Sequence, residues 1–327
     1  MRLKTRVLTV VKIIVSLGLI FYLVSTVDIE VVGAAVRSAN YAYLVLALLL
    51  YAGAVTCGSL KWYILLSAQE IDIPFLSLLG YTFEGVFFNN FLPANVGGDV
   101  MRGYGLARHT DRTAEAAVSV MVDRIVGLIA FMTAAFLSAV VVVFFAGQSQ
   151  LVGIVLASGA GMAGLVVLFA VVLSRRVRAL VERLFEIGLF RPFAPIYHRL
   201  STALTAYRFR VGHLMLGFCV SLFTLTLSNF SNYVVAEALG GGISLLHIFL
   251  FNPLIAFVLL IPISVGGLGL NQGAVVFFYG LVGVPPNVAL PVSLVMQVII
   301  YATSVPGGFL WWRAKRRHEP VARPQEA

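Results

Sequence analysis

Ionisable side chains are few inside the apolar stretches of this sequence: Glu84, Asp99, Arg102, Asp123, Arg124 and Glu237. Each costs about 2.5–3.5 kcal/mol at the centre of a membrane helix on insertion scales, so such groups usually face a cavity or a partner. Asp99 and Arg102 are three apart and share a face of the helix that restarts after Gly97-Gly98. In the first turn of that helix an acidic side chain meets the positive dipole end, so Asp99 reads most simply as an N-cap. The same helix start also makes an anion site with Arg102. Backbone N–H groups after two glycines, plus one guanidinium, suit a pair of phosphate oxygens.

Asp123 and Arg124 stand together early in the next apolar run. They read either as an interfacial pair or as site residues, with Arg124 a second phosphate contact and Asp123 a brace for Arg102. Glu84, Asn89 and Asn90 lie on the helix that leads into the break, and Glu237 reads as interfacial. In the other half, Asn271 and Gln272 restart a helix after Gly269 and offer uncharged amides. Gln297 with Tyr301, and Asn229 with Asn232, face the same interior or bond between helices.

Other chemistry finds no footing. Gly267-x-Gly269 has no flanking strand and is not a dinucleotide loop. The sequence has no Gly-x-Ser-x-Gly elbow, no metal-spaced His and Cys set, and no carboxylate pair arranged for acid–base work. We therefore expect no catalytic residue, no metal and no cofactor.

Two interrupted stretches must position these groups. Pro93-Ala94-Asn95-Val96-Gly97-Gly98 and Pro262-Ile263-Ser264-Val265-Gly266-Gly267 share the pattern Pro-x-x-Val-Gly-Gly. Each sits between apolar runs too short for an ordinary span. Proline ends a helix, and paired glycines allow backbone shapes that other residues resist. Inside a bilayer such a break survives only where protein or a watery cavity satisfies the freed backbone groups. Matching broken segments in two halves of a membrane chain point to a transporter's binding site.

Composition sets the class. Of 327 residues, 60% are hydrophobic and 11% charged, and the mean hydropathy is +0.97. Soluble domains carry about 25% charged residues. The net charge of +9 reads as loops facing the cytoplasm, not as a nucleic-acid surface. Cys57 and Cys219 both lie in apolar runs and suggest neither a disulfide nor a zinc site. The predicted fold is an all-α polytopic membrane protein with about six full spans and two broken, re-entrant helical hairpins in inverted-topology halves.

The predicted full spans are Val7–Val27, Tyr41–Leu66, Glu115–Phe145, Leu151–Leu173, Val211–Leu239 and Val288–Trp312. The first is too long for a signal-peptide core and reads as uncleaved. Tyr41, Tyr43, Trp62 and Tyr63 read as interfacial anchors of the second. Gly153, Ala157 and Gly161 form a small-residue stripe suited to close helix packing. The N-terminal half is 1–173 with its broken segment at 75–109, and the C-terminal half is 211–313 with its broken segment at 244–283. Between them, 174–210 is an arginine-rich amphipathic linker that reads as resting on the bilayer surface. Residues 314–327 read as a disordered basic tail.

With the N-terminus in the cytoplasm, the C-terminus is there too, and the arginine-rich loops all fall on that side. The first broken segment then enters from the cytoplasm and the second from outside. The localisation expected is the cytoplasmic (inner) membrane.

The motif Leu92-Pro93-x-x-Val96-Gly97-Gly98-Asp99-x-x-Arg102, the pair Asp123-Arg124 one span later, and Pro262-x-x-x-Gly266-Gly267-Leu268-Gly269 together resemble the flippase-like family. That family is the transmembrane domain of bacterial lysyl-phosphatidylglycerol synthases, which also occurs as stand-alone proteins, and the chain reads as the stand-alone form without the synthase domain. The resemblance covers roughly Val7 to Trp312. It implies movement of a phospholipid or lipid-linked phosphate between leaflets. Asn271-Gln272 stands where the family often has Arg-Glu, and Ala94 or Asn95 where it often has glycine.

The site expected for the lipid phosphate comprises Arg102, Asp99, Gly97, Gly98, Asn89, Asn90, Glu84, Asp123, Arg124, Gly266, Gly267, Asn271 and Gln272, lying between the broken helices. On this reading Arg102→Ala abolishes lipid movement without loss of fold. The partners expected are membrane lipids with an anionic head group and no nucleic acid, with a homo-oligomer or an envelope-biosynthesis partner left open. The alternatives are an intramembrane enzyme acting on a lipid phosphate and an accessory subunit of an envelope complex.

Overall fold

The computed structural model describes residues 33–34, 36–91, 97–145, 147–174, 177, 194–261, 264 and 266–317. The predicted span Val7–Val27, the first break at 92–96, most of the linker before 194 and the tail after 317 lie outside the described residues. Every regular element among the described residues is helical.

In chain order the helices are α1 (Tyr41–Ser67), α2 (Phe75–Phe91), α3 (Gly97–Thr110), α4 (Thr113–Phe144), α5 (Val152–Leu173), α6 (Ala194–Arg208), α7 (Val211–Ala238), α8 (Leu245–Val258), α9 (Leu270–Gly280) and α10 (Pro286–Arg317). A 3-10 turn, Ser149–Leu151, leads into α5. Among the described residues, five helices are long and apolar enough to cross a membrane: α1, α4, α5 with its leading turn, α7 and α10. The protein is an all-α, multi-pass membrane protein.

α1 begins where Asn40 caps it. The Asn40 Oδ1 accepts from the Ala42 N–H at 3.0 Å, while its own N–H donates to the Ala238 carbonyl at 2.9 Å. The start of α1 is thereby tied to the end of α7, and the two helices pack along their length. Gly217 gives Leu65 room at this seam.

The two interrupted segments form hairpins, α2–α3 and α8–α9. In the first, a Cβ on Gly98 would collide with the Gly85 carbonyl and the Asn89 side chain, so only glycine lets α2 and α3 close. In the second, Gly266, Gly267 and Gly269 turn the chain with φ of +56°, +75° and +79°. The hairpins exchange partners. α2 packs along α10, the long helix after the second hairpin, and α8 packs along α4, the long helix after the first. A Cβ on Gly307 of α10 would meet the Phe83 carbonyl of α2. The tips also touch: a Cβ on Gly266 would come within 2.5 Å of the Asn90 carbonyl oxygen.

Three expectations change. Trp62 is not an interfacial anchor: it is 0% exposed and sits in a core cluster with Leu66, Leu78 and Leu106. The linker does not merely rest on a surface, because α6 inserts Ala203 and Tyr207 into a cluster with Leu65, Val118 and Val122. The stripe on α5 is not one packing face. Gly153 has open space around it, while Gly161 and Gly159 meet Met132 and Phe136 of α4.

Candidate functional site

Five charged side chains from three helices meet inside the bundle: Lys61 on α1, Asp99 and Arg102 on α3, Asp123 and Arg124 on α4. Lys61 Nζ lies 2.9 Å from Asp123 Oδ1 and donates to the Asp123 carbonyl at 3.1 Å. Arg102 Nη2 donates to Asp123 Oδ2 at 2.6 Å, and its Nε lies 3.0 Å from Asp99 Oδ1. Arg124 Nε donates to Asp99 Oδ2. Removing one member of a buried pair strands its partner's charge, so the cluster stands or falls as a unit.

Arg102 is the most enclosed cation. Its guanidinium carbon lies 4.9 Å from the centre of the Trp62 ring, a cation–π contact. The Trp62 indole N–H donates to Ser119 Oγ at 3.1 Å, which fixes the ring. Arg124 differs: its side chain is 39% exposed against 10% for Arg102. Tyr207 of α6 approaches the cluster. Burial, then the Asp123 carboxylate, pushes its phenol up, and its hydroxyl has no hydrogen-bond partner.

A polar cavity of about 220 Å³ opens on this cluster. α2 lines it with Thr82, Gly85, Val86 and Asn89, a spacing that marks one helix face. Gly98, Asp99, Arg102, Asp123, Arg124 and Lys61 complete the charged wall, and Ser221 and Thr224 of α7 face them. The start of α3 is partly capped already, since the Gly98 N–H donates to Asn89 Oδ1 at 2.8 Å. A second, apolar groove of about 620 Å³ lies alongside, lined by Val100, Tyr104, Ala117, Met121 and Leu260 among others. The two spaces share Asp99, Arg124 and Leu128.

Of the residues expected at the site, Asn89, Gly98, Asp99, Arg102, Asp123 and Arg124 line this one cavity. Gly97 starts α3 without lining it. Glu84 is one position off the lining face of α2. Asn90 donates instead to Ser304 Oγ of α10 at 2.8 Å. Gly266 and Gly267 form the second turn, and Gln272, 1% exposed, accepts the Gly269 N–H at 2.8 Å as a cap. Asn271 follows in the same turn, its N–H bonded to the Gly267 carbonyl at 2.8 Å. The cavity therefore lies between the first hairpin and α1, α4 and α7, not between the two hairpins. Asn229 bonds between helices: Asn252 Nδ2 donates to its Oδ1 at 3.1 Å, and the Tyr279 hydroxyl donates to Asn252 Oδ1 at 2.9 Å.

Sequence reasoning missed Lys61, Trp62 and Gly85. The signal for Gly85 was present in the Thr82, Gly85, Asn89 spacing. Lys61 and Trp62 carried no such signal, since a Lys-Trp-Tyr run near the end of a span looks interfacial.

Fold and site define a multi-pass α-helical membrane protein with a buried ionic cavity that opens beside an apolar groove. The family model for the lysylphosphatidylglycerol synthase TM region matches residues 9–308, and the chain belongs to that family. It is 27% identical to a UPF0104 membrane protein of Methanothermobacter thermautotrophicus, over 92% of each chain. It is 23% identical to a UPF0104 membrane protein of Pyrococcus horikoshii, over 91% of this chain and 95% of that one.

Proposed function

We propose that the protein moves a lipid with a phosphate-bearing head group between the leaflets of the cytoplasmic membrane. The observation that carries this reading is the adjacency of a charged cavity and an apolar groove, both of which Asp99, Arg124 and Leu128 line. A lipid needs both environments at once, a polar pocket for its head and an apolar channel for a chain. Membership of the lysylphosphatidylglycerol synthase TM-region family supports a lipid-related role.

On this reading the head group meets Arg124, which borders both spaces and is partly exposed, together with Lys61 and the amide of Asn89. Arg102 is the fixed centre of the charge cluster. The exchanged packing of the hairpins, α2 on α10 and α8 on α4, supports a reading in which two groups of helices rock about the α1–α7 pair. On this reading both termini face the cytoplasm, an orientation that the arginine-rich linker and loops support.

The test is leaflet exchange in liposomes containing the purified protein, with labelled anionic and lipid-linked phosphates. Exchange of one head group by the protein, slowed about tenfold or more in Arg124→Gln (~1.4 kcal/mol), is the result this reading predicts. No exchange of any phosphate lipid by folded protein would count against it.

A further inference from the structure

A third space borders the far end of the apolar groove. It is a polar cavity of about 520 Å³ between α6 and the turn that joins α3 to α4, walled by Gln69, Asp111, Arg112, Arg199 and Thr202 among others. The first turn of α4 closes it with Thr113, Ala114 and Glu115. Among the described residues the N-cap, Arg112, makes no side-chain cap bond there, so it does not take up the N–H groups that a helix start leaves over. Arg112 is held elsewhere: its Nε donates to Glu115 Oε1 at 3.1 Å, and Nη1 and Nη2 reach the Glu70 and Gln69 carbonyls at 3.4 and 3.5 Å. The helix start and the Arg199 guanidinium therefore supply donors for a phosphate.

Gln69 adds an acceptor. It is 4% exposed, and its Nε2 donates to the Ala203 carbonyl of α6 at 3.4 Å. Its Oε1 is buried without a hydrogen-bond partner among the described residues. Buried polar atoms are seldom left so, and an occupant that brings an N–H or O–H satisfies this one.

Thr113 lines both this cavity and the apolar groove. From there the groove follows one face of α4 through Ala117, Met121 and Arg124. At 1.5 Å rise per residue, Thr113 and Arg124 stand about 16 Å apart along the helix. The groove thus borders a polar space at each end, which favours an occupant with an acyl chain over a free head group.

Resting on the lipid-carrier reading, we infer that the cavity beside α6 is a loading site for a phospholipid whose head group carries a hydrogen-bond donor. The head group docks on the linker side of the membrane with one chain in the groove. The chain keeps to the groove as the head group passes to the charged cavity.

The experiment is equilibrium binding to the purified full-length protein in detergent. The probes are short-chain phosphatidylethanolamine, short-chain phosphatidylcholine, whose quaternary ammonium has no N–H, and glycerophosphoethanolamine, a head group without chains. The ethanolamine lipid should bind about tenfold more tightly than the choline lipid (~1.4 kcal/mol). Thr202 is exposed on α6, and Thr202→Trp, which fills the cavity, should abolish that preference and slow leaflet exchange of the ethanolamine lipid in liposomes. Leu156→Trp on the outer face of α5 should change neither. Equal binding of the two lipids by the parent protein would overturn the loading site and leave the lipid-carrier reading standing. A preference that survives Thr202→Trp would overturn its placement. Glycerophosphoethanolamine binding as tightly as the lipid would overturn the role of the groove. The expected preference without exchange of any phosphate lipid would overturn the carrier reading and leave a lipid-binding site beside α6.

Discussion

The Arg102 guanidinium carbon lies 4.9 Å from the centre of the Trp62 ring. That contact separates two arginines that look alike in sequence. Arg102 is enclosed by an aromatic face and two carboxylates, whereas Arg124 sits where a polar cavity meets an apolar groove.

Arg102→Ala should therefore be a folding variant. It leaves Asp99 and Asp123 buried with one cation fewer, and breaking a buried pair costs roughly 3–5 kcal/mol. Thermal unfolding in detergent should show a large loss for Arg102→Ala and a much smaller one for Arg124→Gln. Equal melting temperatures for the two variants would contradict the assignment. The sequence alone suggests that Arg102→Ala folds and only loses activity; the enclosure of Arg102 reverses that expectation.

Tyr207→Phe should fold at least as well as the parent chain. The Tyr207 hydroxyl is buried without a partner, and an unsatisfied buried hydroxyl costs about 1–3 kcal/mol. An unchanged or raised melting temperature is expected. A clear fall would mean that the hydroxyl has a role in the charge cluster.

Glycines at the hairpin contacts should be intolerant. Gly307→Ala drives a methyl group into the Phe83 carbonyl, and Gly266→Ala adds a contact at 2.5 Å to a positive φ. Overpacking of this kind typically costs about 1–3 kcal/mol. Gly164→Ala is the control, because it meets open space in mid-helix and should be neutral or slightly stabilising. Melting curves of the three variants, measured together, check the ranking.

The helical frame was largely legible in the sequence because apolar run length and proline–glycine breaks mark helix ends. The broken segment expected at 75–109 became α2 (Phe75–Phe91) and α3 (Gly97–Thr110), and Glu115–Phe145 became α4 at Thr113–Phe144. The shared pattern before Gly98 and Gly267 marked both hairpins. Asp99, Arg102, Asp123 and Arg124 were legible because charge is rare in apolar sequence. Their pairing was not, since spacing along one helix says nothing of which helix faces it. Lys61 and Trp62 were lost for a related reason: the depth of a residue in a span depends on packing. Glu84 attracted attention by its charge, yet it is the neighbouring Gly85 that faces the cavity, a difference of one helical step. In the second half Gln272 caps a helix start and Asn229 bonds between helices, and amide composition alone does not distinguish those roles from a binding site.

The most direct measurement is photocrosslinking in membranes with a phosphate lipid carrying a diazirine near the middle of one acyl chain. If a lipid seats its head at Arg124 and its chain in the groove, adducts concentrate on Val100, Tyr104 and Met121, and Ala117→Trp, which fills the groove, removes them. Adducts spread evenly over lipid-facing residues such as Leu156 and Val167 of α5, unchanged by Ala117→Trp, would contradict the account.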